Sequence, residues 1–278
     1  MDWAGFDRWL NVTPVAIAAA IALSGMIAAA ALGFLLRARY EPGKDPDGQE
    51  GYVISAVLGL MALLLGFTFS IALDRFESRR ALVLQEANAI GTAYLRTQLL
   101  NPPHRERISG LLLRYVDNRI ALAKVTHASG EDLLAVNDQI LTDLWAATSA
   151  AFQDIKGLDF SSAYIESMNN LIDLDAARKA ARKAHVPGKV FAVLFLYIVV
   201  TAVAMGYVLT GLKGRVAAGF LLVLMLISLL LIIDIDRPTS GGVRESQGPM
   251  EALRASLAAR PPPVFDRWLA APAGPPKP

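Results

Sequence analysis

The sequence has no cysteine among its 278 residues, which excludes disulfides, a thiolate nucleophile and any cysteine-ligated zinc or iron–sulfur centre. Histidine is nearly as scarce. His104, His127 and His185 stand far apart, and none belongs to a HExxH-type pair. A phosphate loop, a G-x-S-x-G elbow and a dinucleotide fingerprint are also missing. No catalytic residue, metal ligand or cofactor site is assigned, and an enzyme is not expected. The net charge is only +2 and the basic residues are dispersed, which argues against a nucleic-acid partner. The opening "MDWAGFDRWLNVTP" has an acid and two tryptophans where a signal peptide would be basic. The full-length apolar run after it is therefore expected to be a retained anchor.

Apolar sequence, by contrast, is abundant: 54% of residues are hydrophobic and the mean hydropathy is +0.41. Four stretches, 14–36, 53–73, 190–212 and 216–233, reach spanning length, since roughly 20 helical residues cross a hydrocarbon core about 30 Å thick. The first two are joined by "RARYEPGKDPDGQEG" and the last two by "KGR", so they read as two helical hairpins. Residues 74–189 between them are polar and must form an extramembrane domain. An even number of crossings puts both termini and this domain on one side. That side carries Arg8, Arg75, Arg79, Arg80, Arg178, Lys179, Arg182, Lys183, Lys189, Arg237 and Arg244, against Arg37, Arg39, Lys44, Lys213 and Arg215 at the hairpin tips. The positive-inside rule makes it cytoplasmic, with Arg37 and Arg39 arguing the other way.

The middle domain has helical periodicity. From the second span the pattern runs on through Leu84, Ala87, Ile90 or Gly91, Tyr94 and Leu95, and stops at Asn101-Pro102-Pro103. Asn101 can cap the next helix, whose apolar stripe is Ile108, Leu111, Leu112, Tyr115 and Leu122. Ser129 and Asp132 stand like a capping box before Leu133, Val136, Ile140, Leu144, Ala147 and Ala151. A fourth helix runs from Ser161 to Val186-Pro187-Gly188. The expected division is 1–73 (first hairpin), 74–189 (helical domain continuous with the second span), 190–236 (second hairpin), 237–260 (turn and short helix) and 261–278, a proline-rich tail too irregular to pack. "FDRWL" occurs at Phe6 and again at Phe265. It suits an interfacial position, with coincidence equally open.

Three groups of residues are candidates for function. In "LLGFTFSIALDRFESRR", residues 64–80, apolar sequence passes into charge without a proline. Ser55, Gly59, Ala62, Gly66, Ser70, Asp74 and Glu77, continued by Ala81 and Asn88, share one helical stripe. Such a stripe either admits a closely packed helix or lines water. Phe67, Phe69 and Phe76 then either form constrictions or pack against neighbours. At the end of the fourth span, Asp234, Asp236 and Arg237 either bind ions or mark the headgroup boundary, pairing with Arg75 or Arg79. Arg178, Lys179, Arg182 and Lys183 either hold anionic lipid headgroups, at up to about 1 kcal/mol each, or form a solvated face with an Asp175–Lys179 pair.

Residues 64–96, "LLGFTFSIALDRFESRRALVLQEANAIGTAYLR", and 234–250, "DIDRPTSGGVRESQGPM", resemble the two hallmark segments of the bacterial bestrophin-like domain family. The resemblance extends from the first span to Met250. It implies an all-α membrane protein with four transmembrane helices, a helical cytoplasmic domain and a homo-oligomeric ion channel, a pentamer being one candidate. It also implies a bacterial inner-membrane location, and partners limited to further copies of the chain, membrane lipids and permeant ions. In bestrophins the second helix lines a neck, where Phe67, Phe69 and Ile71 take a comparable place. Rings of acid at Asp74 and Glu77 would attract cations, and Arg75, Arg79 and Arg80 would reverse that field if they faced the axis, so selectivity stays open. Clustered acids like the calcium clasp of the animal proteins are absent from the sequence. The rival readings are a non-conducting scaffold or sensor whose cytoplasmic helices bind another protein, and a lipid-handling enzyme using Asp234 and Asp236.

Overall fold

The computed structural model describes residues 3–40, 48–125, 130–238 and 241–267. Lys44, Ser129 with its capping role, and the proline-rich residues 268–278 lie outside the described residues. The regular elements are helices: α1 (Trp3–Val12), α2 (Val15–Tyr40), α3 (Gly48–Thr97), α4 (Pro102–Lys124), α5 (Gly130–Ile155), α6 (Ser161–Lys183), α7 (Gly188–Val208), α8 (Gly211–Asp236) and α9 (Gly248–Ala259). A short 3-10 turn follows at Pro262–Asp266. Among the described residues, four helical segments are long and apolar enough to cross a membrane: α2, the leading part of α3, α7 and α8. Pro187 separates α6 from α7, because it lacks an amide proton and disfavours helical backbone at the residue before it.

The chain divides into two compact units, Met1–Glu77 with Ala184–Arg244, and Ser78–Lys183 with Glu245–Pro278. In the first unit α2 packs most closely on α7, and α8 touches both. The cause lies in glycine. A side chain at Gly33 would put its Cβ 2.0 Å from the Val203 carbonyl oxygen, and one at Gly206 would lie 2.0 Å from that of Ala30. Without side chains at these points, the two backbones meet, as small residues allow within membranes. The tightest neighbour of α2 is therefore α7, although the short connections suggest α3.

At the end of α2, Arg37 is 5% exposed. It pairs with Glu50 at 2.9 Å and donates to the Tyr207 carbonyl at 3.1 Å. This tip charge is neutralised within the protein, which weakens its weight in the topology count. The first "FDRWL" forms part of α1, an amphipathic helix that buries Leu10, packs Phe6 against the same core and stacks Phe6 on Trp9 with centroids 6.1 Å apart.

The second unit has its own core, containing Ile90, Ile108, Leu112, Tyr115, Ile140, Leu144 and Leu171. Leu84, Leu95 and Val136, read from periodicity as inward, are exposed. The inward face of α3 here is instead Val83, Ala87, Ile90 and Tyr94. Asn101 stands at the N-cap of α4 with extended backbone, without a side-chain capping bond. The start of the proline-rich segment is docked rather than loose. Asp266 binds Arg105 through both oxygens at 2.6 and 2.9 Å, Phe265 meets Tyr94 edge-on, and the Tyr94 hydroxyl donates to the Arg260 carbonyl at 2.7 Å. Prolines that fix φ lose little backbone freedom on docking, and the ion pair, the ring contact and the hydroxyl bond together hold the turn. Phe265 and Asp266 of the second "FDRWL" thus meet α3 and α4.

Candidate functional site

Helix α3 is continuous over 50 residues, about 75 Å at 1.5 Å per residue. It carries no proline, so nothing interrupts it at Asp74. Ser55, Gly59, Ala62, Gly66, Ser70, Asp74 and Glu77 are all exposed, and the stripe continues through exposed Ala81 and Asn88. Gly59 and Gly66 have open space where a side chain would stand. Phe67 is 61% exposed on the flank of the stripe, whereas Phe69 packs against the core of the first unit, as does Phe76. Of the phenylalanines read as constrictions, only Phe67 therefore projects outward.

Small and bulky residues share the exposed surfaces of the spanning helices: α3 also exposes Leu60, Leu63, Phe67 and Ile71, and α2 exposes Ala20, Ser24, Ala28 and Ala31. The exposed residues of α2 further include Ile17, Ile21, Ile27, Leu32 and Leu35, and those of α8 include Phe220, Leu224, Ile227 and Leu231. Bulky apolar side chains of that kind match lipid tails. The Ser55 hydroxyl of α3 is satisfied by the Gly51 carbonyl at 3.0 Å.

Beyond the apolar part, the arginines separate by helical phase. Arg75 is half-buried and Arg79 is buried, with its Nε 2.5 Å from Glu245 Oε1, while Arg80 is exposed. Asp74 and Glu77 stay on the outward stripe.

The carboxylates at the end of α8 bind backbone. Asp234 accepts from the amides of Gly242 and Val243 at 2.7 and 3.0 Å. Both oxygens of Asp236 face the Val186 amide, at 3.0 and 3.1 Å. That amide is orphaned by the break before Pro187, and a buried donor without an acceptor is costly. Arg237, 2% exposed, donates to the carbonyls of Thr13, at 2.8 Å, and Leu10. The partners of Asp234 are thus turn amides, and Arg79, named as a possible partner of the Asp236–Arg237 turn, pairs with Glu245. Gly241 fits because a Cβ there would sit 2.4 Å from the Asp234 carbonyl oxygen.

A second group of charges lies inside the second unit. Glu86, 0% exposed, accepts from the Tyr115 hydroxyl at 2.6 Å and from Arg178, and Arg119 Nε lies 3.0 Å from its Oε1. Asp175 receives Arg119 at 3.1 Å, Asn137 at 3.1 Å and Lys179 at 2.7 Å. Burial pushes the Tyr115 phenol well above its ordinary range, so it remains a donor. Lys179 also binds Asp138 at 2.5 Å and holds that carboxyl below its usual range.

The basic run is accordingly divided. Arg178 is turned inward and engaged by Glu86, so it is removed from the headgroup set; Lys179 pairs with Asp175 and Asp138; Arg182 is half-buried; Lys183 is exposed. Glu86, Tyr115, Arg119 and Asn137 are absent from the sequence-derived candidates. The available signal was a carboxylate at Glu86 in phase with Val83 and Ile90 on the inward face of α3.

Four membrane-length helices, one of them running on unbroken into a separate helical body, define an all-helical membrane protein of bestrophin architecture. The chain belongs to the bestrophin-like family, whose domain model matches residues 20–250. Among solved structures, a bacterial bestrophin homologue from Klebsiella pneumoniae with a tryptophan-to-alanine substitution is similar, with a TM-score of 0.67 and 16% identity over 89% of this chain and 96% of that one. A second structure of the homologue from that organism gives 0.64 and 15%, covering 84% and 95%. At this identity the likeness concerns fold. Comparison with curated proteins gives no match.

Proposed function

We propose that the chain assembles into a homo-oligomeric ion channel of a bacterial inner membrane, with the outward stripe of α3 lining the pore. Its spans form two hairpins, and both termini and the helical body are cytoplasmic. The observation that carries this reading is the stripe from Ser55 to Glu77, small or polar throughout and exposed in the single chain. A ring of copies turns seven such positions per chain toward a shared axis, where water satisfies what hydrocarbon would not. Family membership supports the same reading.

Purified protein in planar bilayers is expected to pass ions, and Phe67→Ala to raise conductance or open probability by enlarging the aperture. The native sequence lacks cysteine, so Ser70→Cys supplies a single thiol. A water-soluble thiol reagent should block the current of that variant. An intact oligomer that stays silent across pH, calcium and voltage, with position 70 unreactive, defeats the proposal and favours a sealed packing seam in a scaffold.

Asp74, Glu77 and Arg80 are exposed on this face while Arg75 and Arg79 turn inward, so two acids against one base per chain favour cations at the mouth. Asp74→Lys should move the reversal potential in a salt gradient toward that of the anion. An unchanged reversal potential would show that Asp74 does not face the permeation path.

A further inference from the structure

In the first unit, α3 and α8 leave a groove of about 470 Å³ between them, within the roughly 300–1,000 Å³ of cavities that take whole ligands. Ala62 and Gly66 keep its floor low, and Leu224, Ser228 and Leu231 form the wall on α8. The Ser228 hydroxyl is spent on the Leu224 carbonyl at 2.9 Å, so the groove offers an occupant apolar contact rather than a polar anchor. Helix α3 is also loosely held by its own chain. Among the described residues, no helix approaches it as closely as α7 approaches α2. Helices in membranes associate through close packing, and a long helix without it calls for a neighbour from outside the chain.

Helical phase indicates where that neighbour sits. At 3.6 residues per turn, Leu65 and Phe69 on the groove side stand about 60–100° to one side of Gly66, and Leu60 and Ile71 about 120–140° to the other. Leu60 and Ile71 are 43% and 47% exposed, and on the groove wall Leu224 and Leu231 are 60% and 45% exposed. One flank of α3 therefore carries projections and the opposite flank a hollow, with the small-residue stripe between them. A ring that turns the stripe toward its axis sets one flank of each copy against the opposite flank of the next, because rotation repeats a single head-to-tail contact. We propose that Leu60 and Ile71 of each copy seat in the α3–α8 groove of the next copy, against Leu224 and Leu231. The levels agree. The groove lining runs from Leu58 to Phe69 on α3 and from Leu221 to Ile232 on α8, equal lengths, and in the two-hairpin arrangement both helices leave tips on the same side. Leu60 then stands within about one residue of the depth of Leu224. This contact rests on the ring proposed above, and not on whether that ring conducts.

The native chain lacks cysteine, so disulfide trapping reads the contact directly. L60C and L224C are placed on separate full-length chains carrying tags of different length, co-expressed, and oxidised in membranes with copper phenanthroline. The control pairs L60C with I27C, on the exposed face of α2. The 60–224 pair should give mixed dimers at a yield about tenfold above the control or greater, since a disulfide requires Cα atoms within about 7 Å. A chain carrying both L60C and L224C should give a ladder of crosslinked copies that ends at the full ring. I71C with L231C repeats the measurement near the other end of the groove, which keeps the test decisive if either variant of the first pair does not assemble. An intact oligomer of three or more copies in which neither pair crosslinks above the control, or crosslinks only within one chain, overturns the proposal, assigns the groove to lipid and leaves the ring standing. A protein that elutes as a monomer removes the ring and the contact together.

Discussion

Glu86→Ala is expected to destabilise the second unit by about 3–5 kcal/mol, because it leaves buried cations without their counter-charge. Glu86 is wholly buried and faces Tyr115, Arg119 and Arg178. After its removal Asp175 alone would have to balance both arginines, and Tyr115 would lose the acceptor at 2.6 Å. For a unit of this size the loss amounts to a fall in Tm of roughly 6–20 °C, measurable by tryptophan fluorescence in detergent. Coupling separates charge from shape. Glu86→Leu combined with Arg178→Met should be less damaging than Glu86→Leu alone, since apolar replacement of a complete buried pair is often tolerated. A single Glu86→Ala variant melting within two or so degrees of wild type would show that water already compensates these arginines.

Gly206→Leu should be at least as severe in the first unit. The added Cβ would lie 2.0 Å from the Ala30 carbonyl oxygen and 2.8 Å from its carbon. Backbone atoms cannot move aside as a flexible side chain can, so α2 and α7 must separate along their contact. Loss of the monodisperse peak in size-exclusion chromatography is the expected readout. Gly59→Ala provides the contrast, because open space surrounds that position; it should elute as wild type. Equal behaviour of the two variants would mean that the glycine contact does not hold these helices together.

Much of the architecture is legible from sequence because it is local. Run length locates the four spans, and a pattern with no proline between Ser55 and Asn88 announces that the second span runs on. The outward stripe is visible for the same reason, since helical phase alone groups Gly59, Gly66, Ser70 and Asp74. What escapes is whatever depends on partners distant in the chain. Gly33 and Gly206 lie in separate spans, and nothing near either indicates that they face one another's backbone. Glu86, Arg119 and Asp175 come from three helices and become a cluster only when these pack. The ends of α8 fail differently. Asp234 and Asp236 are conspicuous carboxylates, but the amides of Gly242, Val243 and Val186 that engage them have no letter in the sequence. Phe69 shows the limit of a composition argument, because an aromatic beside a small-residue stripe can equally face the core.

The 50-residue span of α3 has a geometric consequence. Sharp bends in helices arise at proline and a few similar irregularities, and proline is absent here. An uninterrupted helix keeps its residues in fixed angular phase, which is what holds Gly59, Gly66 and Ser70 along a single line.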